Sequence, residues 1–251
     1  MYLRLVQRKL KEDSLSVAKN IYDSKAIPIF RKVDGCIFAG LILDETNIGS
    51  AISMTLWTDK EKAETYEKSG IHQQILDVWK NFLEDSAEMK IQLSQDFKLE
   101  YKAVQKEPEV KAGEIVTPVE NDLDKQDITE HMHLRIVSVN LREDKVKEFE
   151  NLYESVVIPT LKKQKGCIMA FLTENEDKNN NIISVTIWNR KEDAEAYEKS
   201  GKFSELVKQV DHTFTEMTRW KMSLDGKEGK RAATSEEMLV SHYDILTGKK
   251  V

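Results

Sequence analysis

The sequence predicts an α+β protein. It reads as two ferredoxin-like (βαββαβ) domains whose antiparallel sheets pack together as a pseudo-dimeric α+β barrel within one chain. Three observations predict this. AETYEKSG at 63–70 returns as AEAYEKSG at 194–201, 131 positions later. The apolar segments of each copy follow the order β-α-β-β-α-β, the split βαβ layout. Helices then cover one face of each sheet, and the other face, still apolar, needs a partner.

The repeat extends well beyond eight letters. Aligning 3–70 with 134–201 needs no gap and leaves 31 of 68 pairs identical. A period this long means two whole domains, because solenoid units run roughly 20–50 residues. A length of 251 residues also exceeds the usual ~100–150 of one domain. The expected division is 1–105 and 132–251 as domains, with 106–131 as a linker. That linker holds eight acids, three bases and two of the four prolines, with no apolar periodicity, and reads as solvated chain.

In each copy an extended, Leu/Ile/Val-rich segment comes first, Tyr2–Lys9 and His133–Asn140. Asp13 or Ser14, and Asp144 in the second copy, are expected helix N-caps. Leu15, Ala18 and Tyr22 recur at helical spacing, as do Val146, Phe149, Tyr153 and Val156. Pro28 and Pro159 should kink or end this helix. Cys36–Leu43 with Ser50–Trp57, and Cys167–Glu174 with Ile182–Trp188, form hairpins across turn-rich connections. Within the third strands, Ile52, Met54 and Leu56 share a face with apolar counterparts Ile183, Val185 and Ile187. Ser53, Thr55 and Trp57, like Ser184, Thr186 and Trp188, point the other way. That second face is small, hydroxylated and ends in an indole, which suits packing or a small pocket. The repeated YEKSG helix follows, with Gly70 expected in the left-handed position that closes it. A second amphipathic helix carries Ile75, Leu76, Trp79, Phe82 and Leu83, or Phe203, Leu206, Val207, Val210, Phe214 and Met217. The last strands are expected at Lys98–Val104 and Met238–Leu246.

Composition excludes several classes. Apolar residues are 40% and charged residues 33%, with net charge −6, so a basic nucleic-acid footprint is absent. No apolar run approaches the ~18 residues of a membrane span, and the charged N-terminus is unlike a signal peptide. The two cysteines, Cys36 and Cys167, are repeat-equivalent and have no metal-ligand spacing, which suggests reduced thiols and a cytoplasmic protein.

Gly-Cys opens strand two, Trp ends strand three, and a DKxxAxxYExSG-like helix follows. On these features each copy resembles the antibiotic biosynthesis monooxygenase (ABM) family, over about 3–104 and 134–246. The resemblance implies single domains that pair into a dimeric α+β barrel, so this chain looks like such a dimer fused covalently, with further oligomerisation left open. It also implies oxidation of a small aromatic or quinol-type substrate by O2, without a cofactor. The matching residues are Trp57, Trp188, Tyr66 and Tyr197 as catalytic candidates. Ser53, Thr55, His72, Ser184, Thr186 and Phe203 are the substrate-binding candidates. The family's Asn is replaced by Ser53 or Ser184, and its Arg is not evident. In the haem-degrading branch an iron ligand stands ten residues after the helix aromatic. Leu76 and Val207 occupy that place, so haem is disfavoured. A non-catalytic small-molecule-binding or stress-response module of the same fold is the alternative. On that alternative the tryptophans and tyrosines are packing, and His72 is a satisfied rim residue.

Overall fold

The computed structural model describes residues 1–44, 49–84, 87–93, 99–105, 109–117, 131–176, 180–219, 234–235 and 238–251; for 87–93, 99–105 and 234–235 the description is of backbone only. The strands are β1 (Tyr2–Lys9), β2 (Cys36–Asp44), β3 (Ser50–Trp57), β4 (Ala87–Leu93), β5 (Leu99–Gln105), β6 (Glu109–Glu114), β7 (His133–Asn140), β8 (Cys167–Glu174), β9 (Asn181–Trp188), β10 (Thr234–Ser235) and β11 (Met238–Lys250). The helices are α1 (Leu15–Ile21), α2 (Ile27–Phe30), α3 (Lys60–Glu67), α4 (Gly70–Trp79), α5 (Val146–Leu152), α6 (Ile158–Lys162), α7 (Lys191–Lys199) and α8 (Lys202–Val210).

Eight strands form one antiparallel sheet in the order β6-β1-β3-β2-β11-β7-β9-β8, with β10 attached to β11. The ends of this sheet meet. Ile115 bridges Thr173, the Val116 amide donates to the Leu172 carbonyl at 2.9 Å, and the Glu176 amide donates to that of Ala112 at 3.0 Å. The expected barrel is therefore present, nearly closed and built from both repeats. The 13-residue β11 joins them. It pairs with β7 over Met238–Asp244 and with β2 over Tyr243–Lys250, with a bulge between Ile245 and Thr247.

The barrel is filled from both sides. Leu3, Leu5, Ile52, Met54 and Leu56 pack in one cluster with Leu134, Ile136, Ile183, Val185 and Ile187. The alternation in β3 and β9 thus resolves as expected: the plain apolar set lies inside the barrel, and the hydroxyl-and-indole set lies under the helices. Two separate clusters form there, one per repeat.

Several expectations are corrected. The last strand of the first repeat is not Lys98–Val104. Residues 99–105 pair with 87–93 in a separate two-stranded sheet. The place beside β1 is taken by β6, from the acidic stretch read as linker; its backbone bonds to β1 need no apolar side-chain pattern. Of the two outcomes expected at Pro28 and Pro159, a kink or an end, the helix does not end at either proline but runs on to Phe30 and Lys162. A π-turn precedes each one, at Tyr22–Ala26 and Tyr153–Val157, in which the Ile27 and Ile158 amides donate to the Tyr22 and Tyr153 carbonyls five residues back. This i→i−5 step re-phases the ladder ahead of the missing proline N–H. Asp13, Ser14 and Asp144 make no side-chain cap, since a 3₁₀ turn carries the chain into each helix. Gly70 has no positive φ and opens α4; only its counterpart Gly201 is left-handed, at φ 80°. Met217, expected on the buried stripe, is 52% exposed.

Candidate functional site

Both repeats enclose a cavity between the outer face of the sheet and the helices. In the second repeat it measures about 60 Å³, in the first about 50 Å³. The two occupy equivalent places. A wider hollow of about 370 Å³ lies near Glu143, Glu174 and Glu176, but it is polar and has no aromatic wall.

In the second repeat β7 sends Arg135 outward into the cavity wall, flanked by Val137 and Val139. Helix α8 contributes Phe203, Leu206, Val207 and Val210, and the π-turn contributes Tyr153. The Arg135 side chain is 3% exposed. Its Nε donates to Glu198 Oε1 at 2.6 Å, and its guanidinium lies 4.2 Å from the centre of the Phe203 ring. Its Nη2 is buried and has no hydrogen-bond partner among the described residues. An unmet donor on a cation inside an apolar wall is costly unless a ligand oxygen meets it.

The sequence-derived candidates fall into two groups. Tyr66, Ser53 and His72 line the first cavity, and Tyr197, Ser184, Thr186 and Phe203 line the second. Trp57, Trp188 and Thr55 stand behind these walls. Both indoles are fully buried. Each donates its Nε1–H at 2.9 Å to the threonine two residues before it, Thr55 or Thr186. Each also packs on the tyrosine that does line the cavity, at 5.0 Å for Trp57–Tyr66 and 5.2 Å for Trp188–Tyr197. Burial raises the Tyr66 phenol and pushes that of Tyr197 up to about 12, so both are neutral donors at pH 7. Ser53 and Ser184 are engaged by the Tyr22 and Tyr153 hydroxyls, at 3.1 and 2.6 Å. Burial, and then the charge of Arg4, lowers the pKa of His72. The thiol of Cys36 is pushed up to about 12 by burial, and neither Cys36 nor Cys167 is in a disulfide.

Sequence reasoning missed Arg4 and Arg135, Glu67 and Glu198, and Tyr22 and Tyr153. The signal was present: all three pairs are identical in the repeat alignment, and an arginine alternating with apolar residues on a strand faces the same way as Ser53 across the sheet. Arg4 is held by Glu67 at 2.5 Å, as Arg135 is by Glu198.

Residues 132–209 match the family model for the antibiotic biosynthesis monooxygenase domain. The second repeat carries an ABM domain. The whole chain resembles solved structures of that fold. One is described as a candidate monooxygenase from Lactobacillus acidophilus NCFM, with TM-score 0.63, 9% identity, and 99% and 95% of the two chains covered. Another candidate monooxygenase, from Fusobacterium nucleatum subsp. nucleatum, has TM-score 0.62 at 10% identity, covering 99% and 94%. An anthrone oxidase-like protein has TM-score 0.57 at 11% identity, covering 99% and 93%. No curated protein matches the chain in sequence. Coverage of the whole chain by these structures agrees with a tandem pair of ABM-type folds. Among the described residues no helix is long and apolar enough to cross a membrane.

The second repeat also has a half-buried chain of polar contacts behind its cavity. Glu198 Oε1 meets Arg135 on one side and His242 Nε2 at 3.3 Å on the other. His242 Nδ1 meets His133 Nε2 at 3.0 Å. Burial alone would raise the Glu198 carboxyl, but the His242 and Arg135 contacts outweigh it and hold the group at about 2. A carboxyl depressed from 4.5 contributes stability that is complete above about pH 4.5 and lost as pH falls towards 2. The unfolding free energy from urea titration is expected to drop over that window, by less than the ~3 kcal/mol of the full shift because Glu198 is partly exposed to solvent screening. Glu198→Gln is expected to flatten this part of the profile, and an unchanged profile would contradict the assignment.

Proposed function

We propose that the ABM domain of the second repeat binds a flat, electron-rich phenol or anthrone as its anion and oxidises it with O2, without a bound cofactor. The observation that carries this is the unpartnered Arg135 Nη2 in a wall that is otherwise almost wholly apolar. Arg135 receives the substrate oxyanion, and its charge favours release of the substrate proton to solvent during binding. The neutral Tyr197 phenol is a second donor. Apolar walls exclude water, so the bound carbanion reduces O2 rather than being reprotonated. One electron passes to O2 and the radical pair combines at carbon. The resulting hydroperoxide loses water to leave a ketone, so each CH2 consumes one O2 and yields one C=O and one H2O.

A single aromatic ring needs a cavity of about 150 Å³. The 60 Å³ space therefore requires α8 to move outward as substrate enters. That same small volume favours the second reading, a binding module without turnover. Oxygen uptake separates the two. One structural relative is anthrone oxidase-like, so anthrones and quinols are the first probes. Stoichiometric O2 consumption supports oxidation, and binding with no uptake supports the module. Leu76 and Val207, at the haem-ligand positions, are apolar cavity walls. Added haemin is expected to give no saturable Soret shift, and a tight one-to-one or two-to-one complex would reverse this.

A further inference from the structure

The two cavities have diverged in charge. Arg4 corresponds to Arg135, but Arg8 stands where the second repeat has Val139, and His72 where it has Phe203. Arg8 lies on the outward face of β1, half-buried, and lines the first cavity with Arg4. Among the described residues Arg8 has no hydrogen bond or ion pair. Glu67 is held by Arg4. Arg4 and Arg8 repel each other, and that repulsion and burial both lower the pKa of Arg8. Among the described residues the permanently charged groups lining this cavity are two guanidiniums, of which Arg4 is engaged by Glu67.

We infer that the first-repeat cavity is a separate binding site for a small aromatic monocarboxylate. The carboxylate pairs with the free fork of Arg8, a planar match that a guanidinium makes better than any other side chain. The ring lies among Trp79, Phe30 and Tyr66, which line the same space; at about 50 Å³ that space must widen to admit it, as the second cavity must for its own substrate. Charge balance favours a monoanion over a phosphate dianion. Substituting valine and phenylalanine for Arg8 and His72, as the second repeat does, removes the polar end and leaves an oxygen-recognising site only at Arg135. The inference does not depend on turnover in the second repeat.

Calorimetric titration of the full chain tests it, with benzoate as probe and benzyl alcohol as the uncharged isostere. Benzoate is expected to bind one-to-one and about tenfold or more tighter than the alcohol at low salt. Arg8→Val places the second repeat's own residue on the same strand. It is expected to abolish the preference while thermal unfolding stays near that of the parent protein. Arg8→Lys, which keeps the charge and loses the fork, should retain part of it. Equal affinity for the two probes, no benzoate binding, or benzoate binding unaffected by Arg8→Val would each overturn the inference. Failure of anthrone oxidation with benzoate binding intact would count against the proposed function alone.

Discussion

Arg135→Met is expected to lower anthrone or quinol oxidation by about 100-fold or more, the loss typical when a preorganised donor to a developing oxyanion is removed. Methionine keeps most of the aliphatic stem and loses the guanidinium stacked on Phe203, so the apolar part of the cavity wall survives. The substitution also strands Glu198, which would keep a buried charge with His242 as its remaining partner. The paired variant Arg135→Met, Glu198→Gln removes that liability. If both variants lose activity equally and the pair unfolds like the parent protein, the loss belongs to substrate recognition. Activity within a few-fold of the parent would remove Arg135 from the reaction. In that case Tyr197 and the Tyr153–Ser184 pair would be the polar groups left to orient a substrate.

The second large effect concerns barrel closure. Gly113 of β6 sits opposite Leu3 of β1, and a β-carbon built on it would stand 1.5 Å from the Glu174 carbonyl oxygen. That atom is backbone of β8 and cannot swing aside, so Gly113→Ala must push the two ends of the sheet apart. We expect a loss of about 3 kcal/mol or more, at the upper end of overpacking effects, read as a lower urea midpoint. Gly70→Ala is the control. Its added methyl meets nothing within 4 Å, and alanine suits a helix, so stability should stay level or rise slightly. A Gly113→Ala protein as stable as the parent would mean that β6 and β8 need not approach closely.

The pseudo-symmetry of the two strands at this seam is instructive. Residues 114–117 read EIVT and residues 244–247 read DILT, at an offset of 130 rather than 131. Both carry the chain from its own repeat across to the other: Ile115 bridges Thr173, and Ile245 pairs with Ile42. A gapless comparison at 131 passes over this match, and the charge of the surrounding stretch disguises it as linker. Tyr243 fills the barrel interior where Gly113, its counterpart, lets β8 come near.

Periodicity and repetition were enough to establish the duplication, the order of elements, the inner and outer faces of β3 and β9, and the need of each sheet for a partner. These are local properties, written by side-chain spacing within single strands and helices. The site was legible only in part. Tyr66, Tyr197, Ser53, Ser184, Thr186, His72 and Phe203 could be placed on cavity walls because each sits on an amphipathic element. That among the described residues Arg135 keeps an unmet donor and Arg8 makes no ion pair, and that the tryptophans lie behind the wall, were decided by tertiary structure alone. Whether a polar atom is satisfied depends on every neighbour within about 3.5 Å, and those neighbours come from segments up to 224 residues apart along the chain, as Thr247 and Asp23 do. The same reason hid β6: a strand held by backbone bonds to β1 and β8 leaves little trace in its own side chains.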